Sequence, residues 1–500
     1  MKANNIYRET SFEKGMNDTL PPEHLGTGYL ADALNCFIRS DEIVKRNGYT
    51  IIGDDLGSAA CQGIKGVRFA DGTKRVYSVF NGAVYSWSGS GSWTSLGGTL
   101  VTSGYVDIVV ANNAVYFFDG TNTVVKVNSA NTLSTVAAIP IGTTARWFHN
   151  MLFVTGVSGL PNRVRISNLG DPEDFSTGTT ATIDVNPNDG DYVVGFGELK
   201  DELLIIKSQR AWSLTGFGTA TLTLADLNER LTGFGTIARR SIINTGNDVL
   251  YLSFSGDVPH VRSIKRTQYS DTIVDGGIIS KQIETTMKGL NKSALDMCAA
   301  VFDGRNAWFA IPNGSSTTNN KVIMYDTVTK AWVRHSGINA SCWDVFAIGS
   351  QVQIYFGEAT GDSKAYRFDT STSDNGTAIN FQFITRRFGG DMPESKKKWK
   401  YSYLTVKETG NYDLTVDFAK DGFDYSNLGT INLSGSGTVF DNIILDTSRL
   451  GSTDIKRKRF SLPKVVSFYT QYKVYETSAT SSVTIRDFET MYFPKHVREV

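Results

Sequence analysis

The 500-residue sequence is poor in the features that mark secreted, disulfide-bonded or membrane-spanning proteins. Its four cysteines lie far apart without a CxxC pair, which argues against a disulfide framework and favours free buried thiols in a reducing compartment. No window approaches about 18 uninterrupted apolar residues, and polar sequence follows the first two positions. We therefore expect a soluble chain with neither a secretory signal nor a membrane span. The cysteines are Cys36, Cys61, Cys298 and Cys342.

Histidine and an excess of one charge are scarce as well. None of the five histidines stands at metal-ligand spacing from another histidine or from a cysteine, so we expect no zinc site. Lysine plus arginine equals aspartate plus glutamate, at 50 each, so net charge argues neither for nor against a polyanionic partner. The sequence has no G-x-S-x-G motif, and we predict no enzyme and no cofactor. The histidines are His24, His149, His260, His335 and His496.

Glycine and aromatic residues are plentiful. The 48 glycines, against 11 prolines, are typical of many short strands joined by tight turns. The clearest unit pairs the apolar segments 76–80 and 83–87 around Asn81-Gly82. Asn-Gly between alternating strands predicts a type I′ hairpin, because both central residues need positive φ.

Similar hairpins recur along the chain, which predicts an all-β fold. Their spacing averages roughly 45 residues, the size of a four-stranded propeller blade. A single hairpin cannot bury its apolar face, so successive units must pack on one another, and radial packing removes most free edges. We predict a β-propeller of about six to seven irregular blades over residues 61–375, with a sandwich or solenoid as the structural alternative. The other copies span 114–127, 151–166, 203–214, 248–264, 306–333 and 352–369.

The segments outside the repeat have other patterns. Residues 1–60 predict an N-terminal arm with the first strands, which either completes a blade or packs on a neighbouring subunit. Helical spacing of apolar residues predicts a short helix near 280–290 that Ser280 caps, and a shorter helix candidate spans 224–231. After residue 376, long alternating strands predict a C-terminal β-sandwich platform over 376–500. The apolar helix residues are Ile279, Ile283, Met287 and Leu290.

One acidic loop and two basic runs are the candidate interaction sites. The acidic loop, 184–191, lacks the glycine and distal glutamate of an EF-hand, so an Asx-rich turn is favoured over calcium. The basic runs belong to solvated loops, to a contact with a neighbour's acidic surface, or to a contact with DNA phosphates that reads no sequence. The candidate interface or channel-facing residues are Arg386, Arg387, Lys396, Lys397, Lys398, Lys400, Lys456, Arg457, Lys458 and Arg459.

Four groups of segments between residues 11 and 290 point to one family. They are Phe12-Glu-Lys-Gly15 with 33–35 and Lys45-Arg-Asn-Gly48; Arg165-Ile-Ser-Asn168 with 170–175; 202–207 with Trp212-Ser-Leu-Thr-Gly216; and Ile278-Ile-Ser280. Together they resemble the tail tube terminus proteins of short-tailed bacteriophages, also called nozzle, tail tubular protein B or stabilisation proteins.

The resemblance implies a structural virion protein. Such a chain forms a homohexameric ring below the portal and adaptor, the head-to-tail connector. The ring continues the DNA channel, carries fibres or spikes, and helps to retain and eject the genome. Double-stranded DNA passes through the lumen without being read, and the ring, assembled in the host cytoplasm, resides in the virion tail. The basic runs would then face adaptor subunits, sister subunits or the lumen. A closed ring needs heterologous interfaces that repeat around an axis.

Two other functions remain open. A carbohydrate-binding or carbohydrate-cleaving propeller, such as a receptor-binding tail component, is motivated by Trp87, Trp93, Trp308 and Trp332, although blade cores use tryptophan in the same way. A hydrolase that uses the acidic loop 184–191 is the third hypothesis.

Overall fold

The computed structural model describes residues 5–9, 11–39, 42–218, 220–254, 256–266, 273–390, 394–434, 455–462 and 465–494. The chain divides into two compact units. One, here called the propeller unit, comprises Thr50–Val322 and Ile338–Asp369. The other, here called the composite unit, comprises Met1–Tyr49, Ile323–Gly337 and Thr370–Val500.

The N-terminal segment forms short strands. These are β1 (Asn5–Glu9), β2 (Gly15–Met16), β3 (Tyr29–Leu34), β4 (Cys36–Ile38), β5 (Ile43–Lys45) and β6 (Tyr49–Ile52).

Five four-stranded antiparallel sheets follow, and each is built from strands consecutive in the chain. They are β7 (Cys61–Arg68), β8 (Lys74–Phe80), β9 (Ala83–Trp87) and β10 (Thr94–Gly97); β11 (Asp107–Ala111), β12 (Ala114–Phe118), β13 (Val124–Asn128) and β14 (Leu133–Val136); β15 (Thr144–Phe148), β16 (Met151–Thr155), β17 (Arg163–Ile166) and β18 (Ala181–Asp184); β19 (Val193–Leu199), β20 (Glu202–Lys207), β21 (Arg210–Leu214) and β22 (Leu227–Thr232); and β23 (Ile243–Asn244), β24 (Asp248–Phe254), β25 (Pro259–Arg266) and β26 (Ile273–Ile278).

The remaining elements are the one α-helix of the described residues, α1 (Glu284–Lys288), and further strands. The strands are β27 (Ala299–Phe302), β28 (Asn306–Ile311), β29 (Lys321–Asp326), β30 (Trp332–His335), β31 (Ala340–Phe346), β32 (Gln353–Glu358), β33 (Ala365–Phe368), β34 (Ser373–Asp374), β35 (Thr377–Ala378), β36 (Phe381–Thr385), β37 (Lys397–Lys407), β38 (Asp413–Lys420), β39 (Ser426–Asn432), β40 (Ile455–Ser461), β41 (Val466–Ser467), β42 (Thr470–Glu476) and β43 (Thr484–Pro494).

The sheets of the propeller unit form a closed ring. The inner strands β7, β11, β15, β19, β23, β27 and β31 contact each other in that order, and β31 also contacts β7. Five blades each use four consecutive strands, β31–β33 form a sixth blade whose fourth strand is β6, and β27–β28 supply an irregular one within this unit. The predicted all-β fold with an irregular propeller is therefore confirmed.

Tight turns and aromatic pairs set this geometry. Asn81 and Gly82 have φ of 48° and 75°, so the predicted type I′ hairpin is confirmed between β8 and β9. Each blade buries its alternate side chains against the next blade. Tyr77 of the first blade, for example, packs edge-on against Phe117 of the second, with ring centroids 6.3 Å apart. Burial of such rings between blades stabilises the ring at the interfaces that no single hairpin could cover.

Of the two helix predictions, the first is correct except for its cap and the second needs correction. A short helix is present near 280–290, as a 3-10 turn, Lys281–Ile283, that runs into α1, but the Ser280 side chain does not cap it. The Ser280 hydroxyl instead accepts the backbone N–H of Val261, a residue of β25, at 3.0 Å. It therefore does not accept a hydrogen bond from the first turn of the helix. The second candidate, 224–231, is a 3-10 turn only at Leu224–Asp226 and then continues as β22, since pairing with β21 overrides local helix propensity.

The composite unit contains strands that are far apart in the chain. One sheet has the order β4-β5-β43-β37-β40, with β1 also paired to β43, and a second contains β3-β36-β42-β38-β39. The two meet where the rings of Tyr472 and Phe488 lie 4.4 Å apart and the Ser402 hydroxyl donates to the Tyr472 oxygen at 2.7 Å. The predicted sandwich over 376–500 alone is not confirmed, because residues 1–49 supply strands to both sheets.

Two buried ion pairs hold the predicted N-terminal arm in this unit. The Lys45 ammonium donates to Glu476 at 2.7 Å and to the Ser481 hydroxyl at 2.6 Å. The Arg46 guanidinium binds both carboxylate oxygens of Asp374, at 2.7 and 2.5 Å. Burial raises the pKa of Asp374 although Arg46 opposes the shift. The Lys-Arg-x-Gly segment of the resemblance thus acts as an intramolecular anchor.

Candidate interaction surface

The ten basic residues singled out from the sequence fall into groups with different surroundings. Arg386 is 9% exposed, and its guanidinium donates to Glu9 at 3.1 Å, to the Leu25 carbonyl at 3.3 Å and to the Tyr7 hydroxyl. Arg387 donates to Glu23 at 2.7 Å. These two arginines therefore tie the N-terminal segment to the C-terminal strands and do not belong to an open surface.

Three of the lysines are also used inside the unit. Lys397 is fully buried, and its ammonium donates to the carbonyl of Ser395 at 2.8 Å. Lys456 and Lys458 lie on the inner side of β40 and reach carbonyls of the opposite sheet, Ser434 at 3.2 Å and Thr430. Lys456 is half-buried, whereas Lys458 stays exposed although its ammonium is bonded to the protein.

The outer side of β37, β40 and β43 carries the remaining exposed cations of the strands. Antiparallel pairing sets Tyr403 opposite both Arg459 and Glu489, and Lys398 opposite Phe493. A bulge between Trp399 and Tyr401 turns Lys400 to the same side. We call this surface the basic–aromatic face; it consists of Lys398, Lys400, Tyr401, Tyr403, Arg457, Arg459 and Phe493.

Each cation of this face except Lys398 lies over an aromatic ring. The guanidinium of Arg457 is 4.5 Å from the centroid of Tyr403, and that of Arg459 is 4.8 Å from the centroid of Tyr401. The ammonium of Lys400 lies 5.3 Å from Tyr401 and 5.2 Å from the ring of Phe493. The rings fix the direction of the charges while leaving their outer donors in water.

The face has a positive excess. Its neighbours Asp487 and Glu489 are the carboxylates that strand pairing places beside it. The Arg8 guanidinium forms an ion pair with the Glu489 carboxylate at 2.8 Å, and Arg457 also contacts that carboxylate. Lys396, at the end of β37, is exposed over the ring of Phe468. An anionic surface is therefore the partner that this face fits by charge.

The acidic loop has a different environment. Asp189 accepts from the fully buried Lys207 ammonium at 2.8 Å, and Asp184 forms a two-point pair with Arg163 at 2.8 Å. Asp191 accepts the backbone N–H of Gln209 at 3.2 Å. Internal cations and backbone groups thus engage these carboxylates. Among the described residues, no group of three or more His, Cys, Asp or Glu side chains is arranged to hold a metal ion.

Arg239 crosses the centre of the propeller unit. Its guanidinium donates to the carbonyls of Thr143 at 2.8 Å and Tyr105 at 3.5 Å, which precede the third and second blades. Desolvation lowers the pKa of Arg239, and the charge of Asp107 opposes the shift. A cavity of about 140 Å³ lies beside these residues.

Arg240 extends the same connection to two other blades. Its guanidinium lies 3.0 Å from the centroid of the Tyr105 ring and donates to the carbonyls of Met297, at 3.1 Å, and Ser341. Arg239 and Arg240 lie just before β23 and bond to residues at the inner strands of four other blades, which begin with β11, β15, β27 and β31. Sequence reasoning missed this pair, because an Arg-Arg dipeptide outside a basic run gives no local signal.

The segment 170–175, which helped to carry the family resemblance, is a contact between blades. The Glu173 carboxylate accepts from the Tyr116 hydroxyl at 2.7 Å and from the Lys126 ammonium at 2.5 Å. Asp174 accepts from the Thr177 hydroxyl and from the backbone N–H groups of Ser176 and Thr177, which lowers its pKa to about 2. This segment therefore joins the second and third blades.

The four tryptophans that motivated a sugar site are buried, at 0 to 7% exposed. Trp87 and Trp93 pack together with ring centroids 6.4 Å apart, and the Trp93 indole donates to the carbonyl of Ile52. Trp87, Trp93 and Trp308 lie in the propeller unit and Trp332 in the composite unit, and none of the four is exposed enough to stack on a sugar at the surface.

Comparisons with known proteins add fold information only. No protein-family model and no curated protein matches the sequence. The structure is similar to the extracellular domain of BT4673 from B. thetaiotaomicron, at 8% identity over 73% of this chain and 44% of that one, with a TM-score of 0.43. It is also similar to the WD40 β-propeller domain of Doa1, at 9% identity over 64% and 97% of the two chains, with a TM-score of 0.39.

A computationally designed protein, Ika8, is similar at 9% identity over 64% of this chain and all of that one, with a TM-score of 0.37. The chain thus spans less than half the length of the BT4673 domain. At identities this low, none of these similarities indicates a function. In the part of the chain that the structure describes, no helix has the length and apolar character needed to cross a membrane.

Proposed function

We propose that this chain is a structural protein of a bacteriophage tail. It forms a ring with copies of itself below the adaptor, continues the DNA channel, and acts by shape and by contacts with its neighbours. The resemblance of the segments between residues 11 and 290 motivates the proposal. Three internal contacts support it: the anchored N-terminal segment, the Arg239–Arg240 connection and the Glu173 contact. Each of them joins separate parts of the chain, as a protein that acts by its shape requires.

The observation that carries the proposal is the basic–aromatic face. Arginine and tyrosine are enriched in the energetic centres of protein interfaces, and here both lie on a strand pair that is rigid and exposed. We assign this face to an acidic surface of a neighbouring subunit or adaptor protein. Passing DNA is the other anionic partner, and the experiments below separate the two.

The decisive experiment is negative-stain imaging of the purified chain, alone and mixed with its adjacent tail proteins. We expect six-fold ring averages that appear, or become uniform, when the adaptor is present. A chain that stays monomeric under both conditions contradicts the proposal.

A charge reversal tests the assigned face. Arg459→Glu should weaken adaptor binding or ring formation by at least about tenfold, because it places a carboxylate opposite an acidic partner. Lys200→Glu is the matched control, since Lys200 is an exposed cation of the propeller unit. If both variants assemble like the parent protein, the face is not an interface.

DNA binding gives a different pattern. If the face contacts DNA phosphates, Arg459→Glu lowers duplex affinity uniformly across sequences and reduces the slope of log affinity against log salt by about one. Assembly would then be unchanged.

A carbohydrate-binding tail propeller remains the second candidate, as an alternative use of the same blade architecture. It requires exposed residues other than the four buried tryptophans. Binding to a glycan array by a monomer or trimer, with no ring formation, would favour it over the structural proposal.

A further inference from the structure

Two of the four cysteines meet where the propeller ring closes. Cys61 begins β7, the first inner strand, and Cys342 lies in β31, the last. Their sulfur atoms are 3.4 Å apart, and the two side chains are 0% and 6% exposed. They are 281 positions apart in the sequence, so no local spacing indicated the pair.

The backbone of β32 packs closely against one side of the two thiols. A Cβ added at Gly357 would lie 2.2 Å from the Cys61 sulfur and 2.9 Å from the Cys342 sulfur, so the adjacent strand β32 needs glycine at this point. The Ser341 hydroxyl donates to the Cys61 carbonyl at 2.6 Å and fixes the neighbouring backbone. Both sulfurs are thus held in place by rigid strands.

The site distinguishes the two thiols chemically. Burial and the contact with Cys342 raise the pKa of the Cys61 thiol. Burial alone would raise the pKa of the Cys342 thiol as well. Hydrogen bonds with Cys61 and Ser341 and the nearby charge of Arg240 outweigh burial and lower this pKa. A thiolate is the reactive form of cysteine, and the nearby charge of Arg240 favours the thiolate at Cys342.

We propose that Cys61 and Cys342 form a reversible disulfide that fastens the first inner strand of the propeller to the last. The sulfurs need to approach by about 1.4 Å to reach a normal bond of about 2.0 Å. In a reducing compartment the pair stays as thiols, and an oxidising environment closes the ring covalently. This inference is independent of the proposed tail function.

A peroxide is the oxidant that we name for the reaction. The Cys342 thiolate attacks one peroxide oxygen, the O–O bond breaks, and hydroxide leaves, giving a sulfenic acid on Cys342. The proton that Cys342 lost on ionisation converts this hydroxide to water. The Cys61 sulfur then attacks the Cys342 sulfur, the S–O bond breaks, and the sulfenic oxygen takes up the Cys61 proton and leaves as the second water. Two thiols and one hydrogen peroxide thus give one disulfide and two water molecules.

The crosslink would act on ring opening. At this seam β7 and β31 belong to different sheets, and hydrogen bonds such as Ser341–Cys61 and the ion pair of Asp344 with Lys65 join them in place of strand pairing. A disulfide across this seam closes a very long loop and removes many conformations from the unfolded chain. Oxidised protein should therefore melt at a Tm higher than that of the reduced protein by at least about 3 °C.

The test is peroxide treatment of the native full-length chain, followed by alkylation in denaturant and peptide mass spectrometry. We expect two of the four thiols to be protected, with one Cys61–Cys342 peptide that disappears on reduction. Cys342→Ala should abolish the crosslink and the Tm shift. Cys298→Ala, which removes another buried thiol of the same unit, should leave both unchanged.

Either of two results would overturn the proposal. One is complete alkylation of all four thiols after treatment at peroxide concentrations that oxidise free glutathione. The other is a Cys61–Cys342 peptide that forms only after the protein has been unfolded. Comparing the Tm of untreated Cys342→Ala with that of the parent shows whether the variant is folded before either result is read.

Discussion

The propeller unit and the composite unit are both built from antiparallel strands, but they specify their pairing differently. In the propeller unit, five blades each use four strands that are consecutive in the chain. In the composite unit, β1 pairs with β43 and β3 with β36, hundreds of positions away. The first kind of sheet is dictated by turn residues, whereas the second depends on matched buried groups that exclude other partners.

The largest expected effect breaks a buried charge of the composite unit. Arg46→Ala leaves the Asp374 carboxylate buried without its guanidinium, and the free energy of unfolding should fall by about 3–5 kcal/mol. Urea unfolding followed by tryptophan fluorescence measures this loss. Arg163→Ala, which removes an exposed pair from a propeller blade, is the control and should change the midpoint little. If Arg46→Ala and Arg163→Ala lost equal free energy of unfolding, the composite unit would not depend on its buried ion pair more than a blade depends on an exposed one.

A turn of the propeller unit gives the next effect. Gly82→Ala forces a side chain into the left-handed region and sets its Cβ 2.4 Å from the Leu100 carbonyl oxygen. We expect a loss of about 2–3 kcal/mol in the free energy of unfolding. Gly91→Ala is the matched control, because Gly91 has a similar φ of 70° with nothing within 4 Å. Thermal unfolding should separate the two; a Gly91 variant as unstable as the Gly82 variant would assign the whole effect to φ.

The pH dependence should be stronger for the composite unit. Burial holds the pKa of His335 well below its usual value, and the charge of Arg46 adds to the shift. Below about pH 6.5, His335 becomes protonated in the unfolded chain but stays neutral in the folded chain. The free energy of unfolding is therefore highest at neutral pH and decreases as the pH falls. Between pH 7.5 and 5, this group should remove about 2 kcal/mol. His335→Gln should lose less over that interval, and identical slopes for both proteins would exclude His335 as the source.

The smallest expected change in stability concerns the basic–aromatic face. Arg459→Ala should alter the free energy of unfolding by less than about 0.5–1 kcal/mol, because its guanidinium is exposed over Tyr401. Its effect should appear instead in binding to the adjacent protein, measured by co-sedimentation. A large loss of stability would show that the residue serves the fold and not an interface.

The sequence predicted the propeller because its signals are local. Alternating apolar residues around Asn81-Gly82 determine a hairpin without reference to the rest of the chain. The composite unit could not be predicted to the same extent, since nothing near Lys45 or Arg46 identifies Glu476 or Asp374 as their partners.

The candidate surface shows the same limit. The basic runs were visible, but strand pairing decides that Arg459 faces solvent while Lys397 is buried. The aromatic members of the face became meaningful only once register placed Tyr401 and Tyr403 beside cations. Ser280 was wrongly expected to cap a helix, because its tertiary acceptor role was invisible in the sequence.

The pairing of β1 with β43 has a consequence for biosynthesis. A ribosome releases residues 5–9 long before residues 484–494, so the first strand must wait while the whole propeller emerges and closes. Its exposed edge is a site at which a chaperone, or another nascent chain, can bind during that interval. When folding fails during expression, we expect β1 to pair with a strand edge of another chain. A peptide with the sequence of residues 484–494, added to the protein as it is synthesised, should bind β1 in place of that chain.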